Sequence, residues 1–445
     1  MKLVYDSITR TTHDPRGVSV RVPGFGNTST VEYLNEKRYY SYFAYVADTL
    51  VSLGYERNKN LRGAPFDFRK APNELSSFFV DLRQLTEELR ESTGGPVVLV
   101  AHSLGAPILN YFLNQHTQAW RDEHVLSLVS LAGAWGGAVK AVKVYAAGDN
   151  MGAPLNSLTM RTQQRTNPSL AFLLPDPELW GDHVMVKAPG GNYTVHQLKQ
   201  FLHDLQLPDS VEMYEDTRGL LNMSNTPPRV PLHCLYGTGI PTVERLEYAS
   251  GGYFPDYPKL INGPGDGTVN LRSAALCYKY ASLQSQPVSM ESFNKTDHMG
   301  ILKNNGVLHY IANIVTAEAC RRTVARQNAP AGRSRVSRAA VSATSSPHTE
   351  NPMGEPSSVG EKLSGRTQLE FTDVDINDII ARLDEEIRLR KLEDTDELDA
   401  YEELKLSHNL NKQMEYKMLQ AQEFKLTLEK LQRRQEKREL RPPSN

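Results

Sequence analysis

Val97-Val98-Leu99-Val100-Ala101-His102-Ser103-Leu104-Gly105 is the stretch that decides the fold. An apolar, β-branched run of strand length ends in small-x-Ser-x-Gly, and a helical pattern carrying Ile108, Leu109, Phe112 and Leu113 follows directly. Strand, sharp turn and helix in that order make a nucleophile elbow. Strand and helix backbones approach closely there, so small residues are needed two before and two after the serine. Ala101 stands where Gly is more usual, and the geometry tolerates it. Ser103 then sits at a helix N-terminus, whose dipole favours a developing alkoxide. The Leu104 N–H is placed as one oxyanion donor. A buried serine at an ordinary strand–helix turn is the competing reading.

Outward from the elbow, further strand-like runs appear at Val18–Val22, Val125–Leu131, Pro231–Tyr236 and Val288–Phe293. Two helical stretches precede the elbow strand. One carries Phe43, Val46 and Leu50 and stops at Gly54. The other starts after Asn73, read as its N-cap, carries Phe79, Leu82, Leu85 and Leu89, and stops at Gly94-Gly95. Helices alternating with β-branched strands imply a mostly parallel sheet covered on both faces. With the elbow, that predicts an α/β-hydrolase fold.

A serine at neutral pH needs a base, and the base needs an orienting carboxylate. In this fold class the chain order is Ser, Asp or Glu, then His. Asp266 lies in Gly263-Pro264-Gly265-Asp266-Gly267-Thr268-Val269, where flanking glycines let a carboxylate project from a tight turn; a solvated turn Asp is the alternative. His298 lies in Lys295-Thr296-Asp297-His298-Met299-Gly300, a polar loop between a strand and a helix. Its rivals are His309, on the following helix, and, for the acid, Asp297. A sequence neighbour rarely reaches its own histidine's Nδ1 well. His102 abuts the nucleophile and reads as structural.

Composition and the tail bound the rest. The formal charge of −2 gives no global attraction to nucleic acid or anionic membrane. No apolar run reaches the length of a spanning helix. Met1-Lys2-Leu3-Val4-Tyr5-Asp6 lacks the apolar stretch of a signal peptide, which alone reads as cytosolic. Asn-x-Ser/Thr sequons at Asn27, Asn192, Asn222 and Asn294 lend slight support to a secretory route. Residues 1–320 read as globular, and 321–367, rich in Arg, Ser, Pro and Gly, as a disordered basic linker. Residues 368–445 read as a charged helix. Within it, Leu410, Met414, Lys417, Ala421, Phe424, Leu428 and Leu431 follow a 4-3-4-3 spacing, and Ile376, Ile380, Leu383 and Ile387 form a shorter stripe. Either a coiled-coil partner-binding module over 371–440 or a solvated helix with weak self-association fits that pattern.

Several collinear blocks resemble the lecithin–cholesterol acyltransferase family. They are Val20-Arg21-Val22-Pro23-Gly24-Phe25-Gly26, Arg62-Gly63-Ala64-Pro65-Phe66-Asp67-Phe68-Arg69 and Gly94 through Ser103. Ala134-Trp135-Gly136-Gly137, His233-Cys234-Leu235-Tyr236-Gly237-Thr238-Gly239 and Gly265-Asp266-Gly267-Thr268-Val269-Asn270 complete the set. The likeness runs from about Lys2 to Ala319 and is nearest the family's lysosomal phospholipase A branch.

The resemblance implies that Ser103, Asp266 and His298 match the family triad. It also implies that Cys234 and Cys277 match a family disulfide, leaving Cys320 unpaired. Arg161, in Arg161-Thr162-Gln163-Gln164-Arg165, resembles a lid-associated arginine, and Leu173–Tyr193 with Trp180 would form a mobile lid, placing the lid insertion at about 160–195. The family's N-terminal strand, its loop with a second oxyanion donor and a signal peptide are expected to be missing before Met1. The tail after Arg321 has no family counterpart.

The function implied is a lipid-acting serine O-acyltransferase/phospholipase A that needs no metal or organic cofactor. Its partners would be a phospholipid at a membrane or lipoprotein surface and water or a lipid alcohol as acceptor, in a lysosomal or secreted setting. A sterol acceptor, or an inactive hydrolase scaffold with a partner-binding coil, are the alternatives.

Overall fold

In the computed structural model the elbow run forms strand β1, Val97–His102, one of four central strands. The others are β2, Val125–Leu131, β3, Leu232–Thr238, and β4, Val288–Asn294. Their order across the sheet is β4-β3-β2-β1, and every pairing is parallel. The structure describes residues 1–34, 40–151, 155–249, 254 and 257–327, with side chains of the last helix to 316. The linker from 328 and the charged helix expected over 368–445 therefore lie outside the described residues.

The period-2 alternation of the strands sorts side chains onto two buried faces. Leu99, Leu128, Leu232 and Cys234 point into one core, with Ile108, Leu109, Phe112 and Leu113 of the helix Gly105–Asn114. Val129, Leu131 and Leu235 point into the other, with Val46 and Leu50 of Ala44–Ser52 and Ile301, Val307 and Ile311 nearer the C-terminus. Both faces of a parallel sheet are thus covered, the arrangement of an α/β-hydrolase.

Three readings of local structure are corrected. Val18–Val22 is not a strand. Gly17, Pro23 and Gly24 bracket it, and Val18 and Val22 stay exposed with no apolar face to cover them. Asn73 does not cap the second helix: it sits inside a 3₁₀ turn, Pro72–Glu74, and the helix Ser76–Thr93 begins after Leu75. Pro72 opens that turn and shifts the helix start by a few residues. Phe78 takes the buried position and Phe79 packs partly buried against the same core, while Gly94 ends the helix in the left-handed conformation. Lastly, the helix Asn305–Gln327 runs past 320, through residues assigned to the linker, because after Gly306 in its first turn no Pro or Gly occurs before Pro330.

A second sheet lies in the cap. Gly191–Tyr193, Val186–Ala188, Thr242–Glu247 and Lys259–Gly263 pair in that order, with one parallel pairing among antiparallel ones. It shares a core with the helices Val139–Ala147, Pro168–Phe172, Leu198–Asp204 and Pro208–Thr217. The buried members of this apolar cluster run from Val139 to Tyr248, on both sides of the 160–195 segment. An N-terminal hairpin, Val4–Asp6 with Thr11–His13, was not anticipated at all. A disulfide joins Cys234 on β3 to Cys277 on the short helix Cys277–Tyr280, both buried.

Candidate active site

Ser103 follows β1 directly, with φ of 55°, a left-handed conformation that a non-glycine residue adopts only under constraint. The constraint is visible on both sides of its peptide. The Ser103 N–H donates to the Leu131 carbonyl at 3.0 Å, and its own carbonyl accepts from Ala106 N at 3.2 Å. A β-carbon added to Gly105 would lie 3.5 Å from Ala101 Cβ, an ordinary contact. The turn therefore has room for the alanine that replaces the usual glycine. Leu104, next along, opens the helix Gly105–Asn114 with helical φ and ψ.

Ser103 Oγ lies 2.8 Å from His298 Nε2, and His298 Nδ1 lies 2.8 Å from Asp266 Oδ2. The other carboxylate oxygen, Asp266 Oδ1, accepts from the backbone N–H groups of Thr268 at 2.9 Å and Val269 at 2.7 Å. An ionised carboxylate only accepts, so Nδ1 of the neutral imidazole carries the proton and Nε2 is left to accept from the Ser103 hydroxyl. Asp266 is 1 % exposed and His298 9 %. The acid loop follows the cap strand Lys259–Gly263, and the His298 loop follows β4. The arrangement can remove the proton of a serine hydroxyl as its oxygen attacks an ester carbonyl.

The rival residues are accounted for elsewhere. Asp297 accepts from Met299 N at 3.0 Å and Gly300 N at 2.8 Å, closing the turn after its own histidine. His309 lies within the terminal helix rather than on a loop. His102 is buried, and burial, with His298 beside it, holds its pKa at about 3. It is a neutral hydrogen-bonding group. One contributor escaped sequence reasoning: Gly237, near the end of β3. A β-carbon there would meet the Thr296 carbonyl oxygen at 2.0 Å and lie 3.3 Å from Asp266 Cβ. Only glycine lets the histidine loop and the acid loop close together at that point. The signal was a glycine directly after the strand-like run Pro231–Tyr236.

The family model for "Lecithin:cholesterol acyltransferase" matches residues 1–223 and 219–305. The chain belongs to that family. Among curated relatives, the cattle "Lysosomal phospholipase A and acyltransferase" is 43% identical over 320 residues, covering 71% of this chain and 78% of its own length. The human protein of that name is 42% identical over 320 residues, 71% and 77% of the two chains. The chicken "Phosphatidylcholine-sterol acyltransferase" is 38% identical over 306 residues, 68% and 74%.

In this lecithin:cholesterol acyltransferase family member the two residues assigned to a lid sit in the cap. Arg161, on the helix Ser157–Gln164, donates from Nη1 to the Ala146 carbonyl at 2.7 Å. Trp180 ends the helix Pro177–Trp180 and is 2 % exposed. Its indole N–H donates to the Gly136 carbonyl at 2.9 Å, and the Arg272 guanidinium stands 4.6 Å above its ring. Both side chains are thus tied to fixed backbone: Ala146 belongs to the helix Val139–Ala147, and Gly136 to the loop after β2.

Proposed function

We propose that this family member cleaves a glycerophospholipid ester through an acyl-serine at Ser103 and passes the acyl group to water or a lipid alcohol. The observation that carries the proposal is the unbroken hydrogen-bond chain from Asp266 through His298 to Ser103 Oγ, at the tip of an elbow. As Oγ attacks the carbonyl carbon, its proton passes to His298 Nε2, and Asp266 stabilises the resulting imidazolium. The tetrahedral oxyanion is placed toward the Leu104 N–H. Collapse expels the glycerol oxygen, which takes the proton from His298. Water or an alcohol then attacks the acyl-serine by the reverse sequence, with His298 again as base.

The higher identity to the phospholipase relatives favours water or a simple lipid alcohol over a sterol as acceptor. The complete hydrogen-bond chain argues against an inert scaffold. The Cys234–Cys277 disulfide supports an oxidising compartment, in keeping with a lysosomal or secreted protein. Among the described residues no helix is long and apolar enough to cross a membrane. Ser103→Ala tests the proposal in phosphatidylcholine vesicles. Fatty-acid release should fall to the residual left by binding alone, roughly 10³–10⁴-fold over water. A variant that kept more than a few per cent of wild-type release would show that another group attacks the ester.

A further inference from the structure

We infer that Tyr42 and His102 are positioning residues that lock the backbone of the general base to the nucleophile's own strand. The inference rests on the proposed roles of Ser103 and His298.

His102 is the last residue of β1 and precedes Ser103. Its Nε2 lies 2.8 Å from the His298 carbonyl oxygen, and its Nδ1 lies 2.6 Å from Tyr42 Oη. A carbonyl can only accept, so His102 Nε2 carries the ring's single proton, and Nδ1 must accept from the Tyr42 hydroxyl. One tautomer alone satisfies both contacts. His102 is 5 % exposed, so water cannot replace either partner, and the ring packs 4.7 Å from the His298 ring, centroid to centroid. Tyr42 is itself set edge-on to His102 at 5.3 Å and to Phe43 at 5.0 Å.

The His298 N–H is held as well: it donates to the Asp266 carbonyl at 2.9 Å. The peptide groups on either side of His298 are thus tied to the other two triad positions, one to the acid's own residue and the other to the residue before the nucleophile. The side-chain chain Asp266–His298–Ser103 is closed by a second chain through the backbone. Seating the His298 carbonyl fixes where Nε2 meets Ser103 Oγ, and neither Tyr42 nor His102 touches the reacting atoms. Attack demands near-contact alignment, and a displacement of about 1 Å remote from the chemistry can cost roughly 100-fold.

The test uses the full chain with phosphatidylcholine vesicles and a fluorophosphonate probe. Tyr42→Phe removes only the hydroxyl that fixes the tautomer. We expect kcat to fall roughly 10-fold with KM unchanged and probe labelling of Ser103 to slow in parallel. His102→Leu should lose roughly 100-fold. His102→Gln, whose amide nitrogen can reach the same carbonyl, should recover most of that loss. The downfield proton resonance of His298 Nδ1–H should broaden in Tyr42→Phe and His102→Leu and sharpen again in His102→Gln. If His102→Leu does not fold, Tyr42→Phe and His102→Gln still decide the matter. Tyr42→Phe within twofold of wild type, or His102→Gln no better than His102→Leu, would overturn the inference. Ser103→Ala run beside them separates the two claims, because its loss of activity beside an unaffected Tyr42→Phe sinks the positioning role alone.

Discussion

Replacing Asp266 with Asn probes the acid without opening a cavity. Asp266 Oδ1 accepts two backbone N–H groups, from Thr268 and Val269, and a side-chain amide can keep both only by placing its oxygen there. The NH₂ group must then occupy the Oδ2 position, 2.8 Å from His298 Nδ1. Two donors cannot face each other, so His298 would shift its proton from Nδ1 to Nε2. Nε2–H would then point at Ser103 Oγ, 2.8 Å away, as a donor, and the serine would lose its base. The imidazolium formed during attack would also lose a carboxylate partner buried to 1 % exposure. A wrong-tautomer histidine of this kind drops kcat about 10⁴-fold, close to 5.5 kcal/mol of barrier. The assay is initial-rate fatty-acid release from phosphatidylcholine vesicles at neutral pH, with Ser103 labelling by a fluorophosphonate as a second readout. The melting temperature should stay near wild type, since both backbone hydrogen bonds survive. Turnover within tenfold of wild type would refute the tautomer argument.

Three further outcomes follow from the geometry. His102 binds a proton in the unfolded chain near its ordinary pKa of 6.5, but in the native state only near 3. Below pH 6.5 the unfolded state therefore holds more protons, so stability falls as pH falls, at up to ~1.4 kcal/mol per unit from this group. Urea titrations of wild type and His102→Gln at pH 6.5 and 4.5 should differ by about 2 kcal/mol in that change, and equal slopes would contradict it. Cys277→Ser opens a loop of sequence separation 43. In the chain-entropy model it should cost about 4 kcal/mol, read from the urea midpoint, and an unchanged midpoint under non-reducing conditions would be at odds with this. Gly237→Ala forces the Thr296 carbonyl away from a β-carbon that would otherwise sit 2.0 Å from it. Turnover should fall roughly 10- to 100-fold as the His298 loop moves, and wild-type turnover would show the loops do not need that approach.

The elbow was legible because three signals follow one another within the seventeen residues Val97 to Leu113: a β-branched run, a small-residue turn and a helix stripe. β2, whose bounds match the reading from sequence, was legible for a similar reason, a mostly apolar run that follows Glu123-His124 and ends at Ala132-Gly133. Val18–Val22 looked alike in composition, but strand formation depends on a partner and a face to bury, and neither is written in the segment itself. The second apolar cluster was not legible because it joins residues far apart in the chain, from Val139 to Tyr248. The Asp266 and His298 loops were found as polar turns at the right chain order. Their closeness was not legible, because it depends on Gly237 and on the His102 bond to the His298 carbonyl, contacts that no local pattern encodes.

The central claim is that Ser103 carries the acyl group between donor and acceptor. Rapid-quench mass spectrometry of the protein mixed with phosphatidylcholine vesicles tests it most directly, with the peptide spanning β1 and the elbow isolated after digestion. The account predicts a transient mass increase of one fatty acyl group on Ser103. It should rise before free fatty acid appears, discharge faster when a lipid alcohol is added, and be absent from Ser103→Ala. Fatty-acid release with no acyl group on that peptide, or an acyl group on another residue that persists in Ser103→Ala, would contradict it.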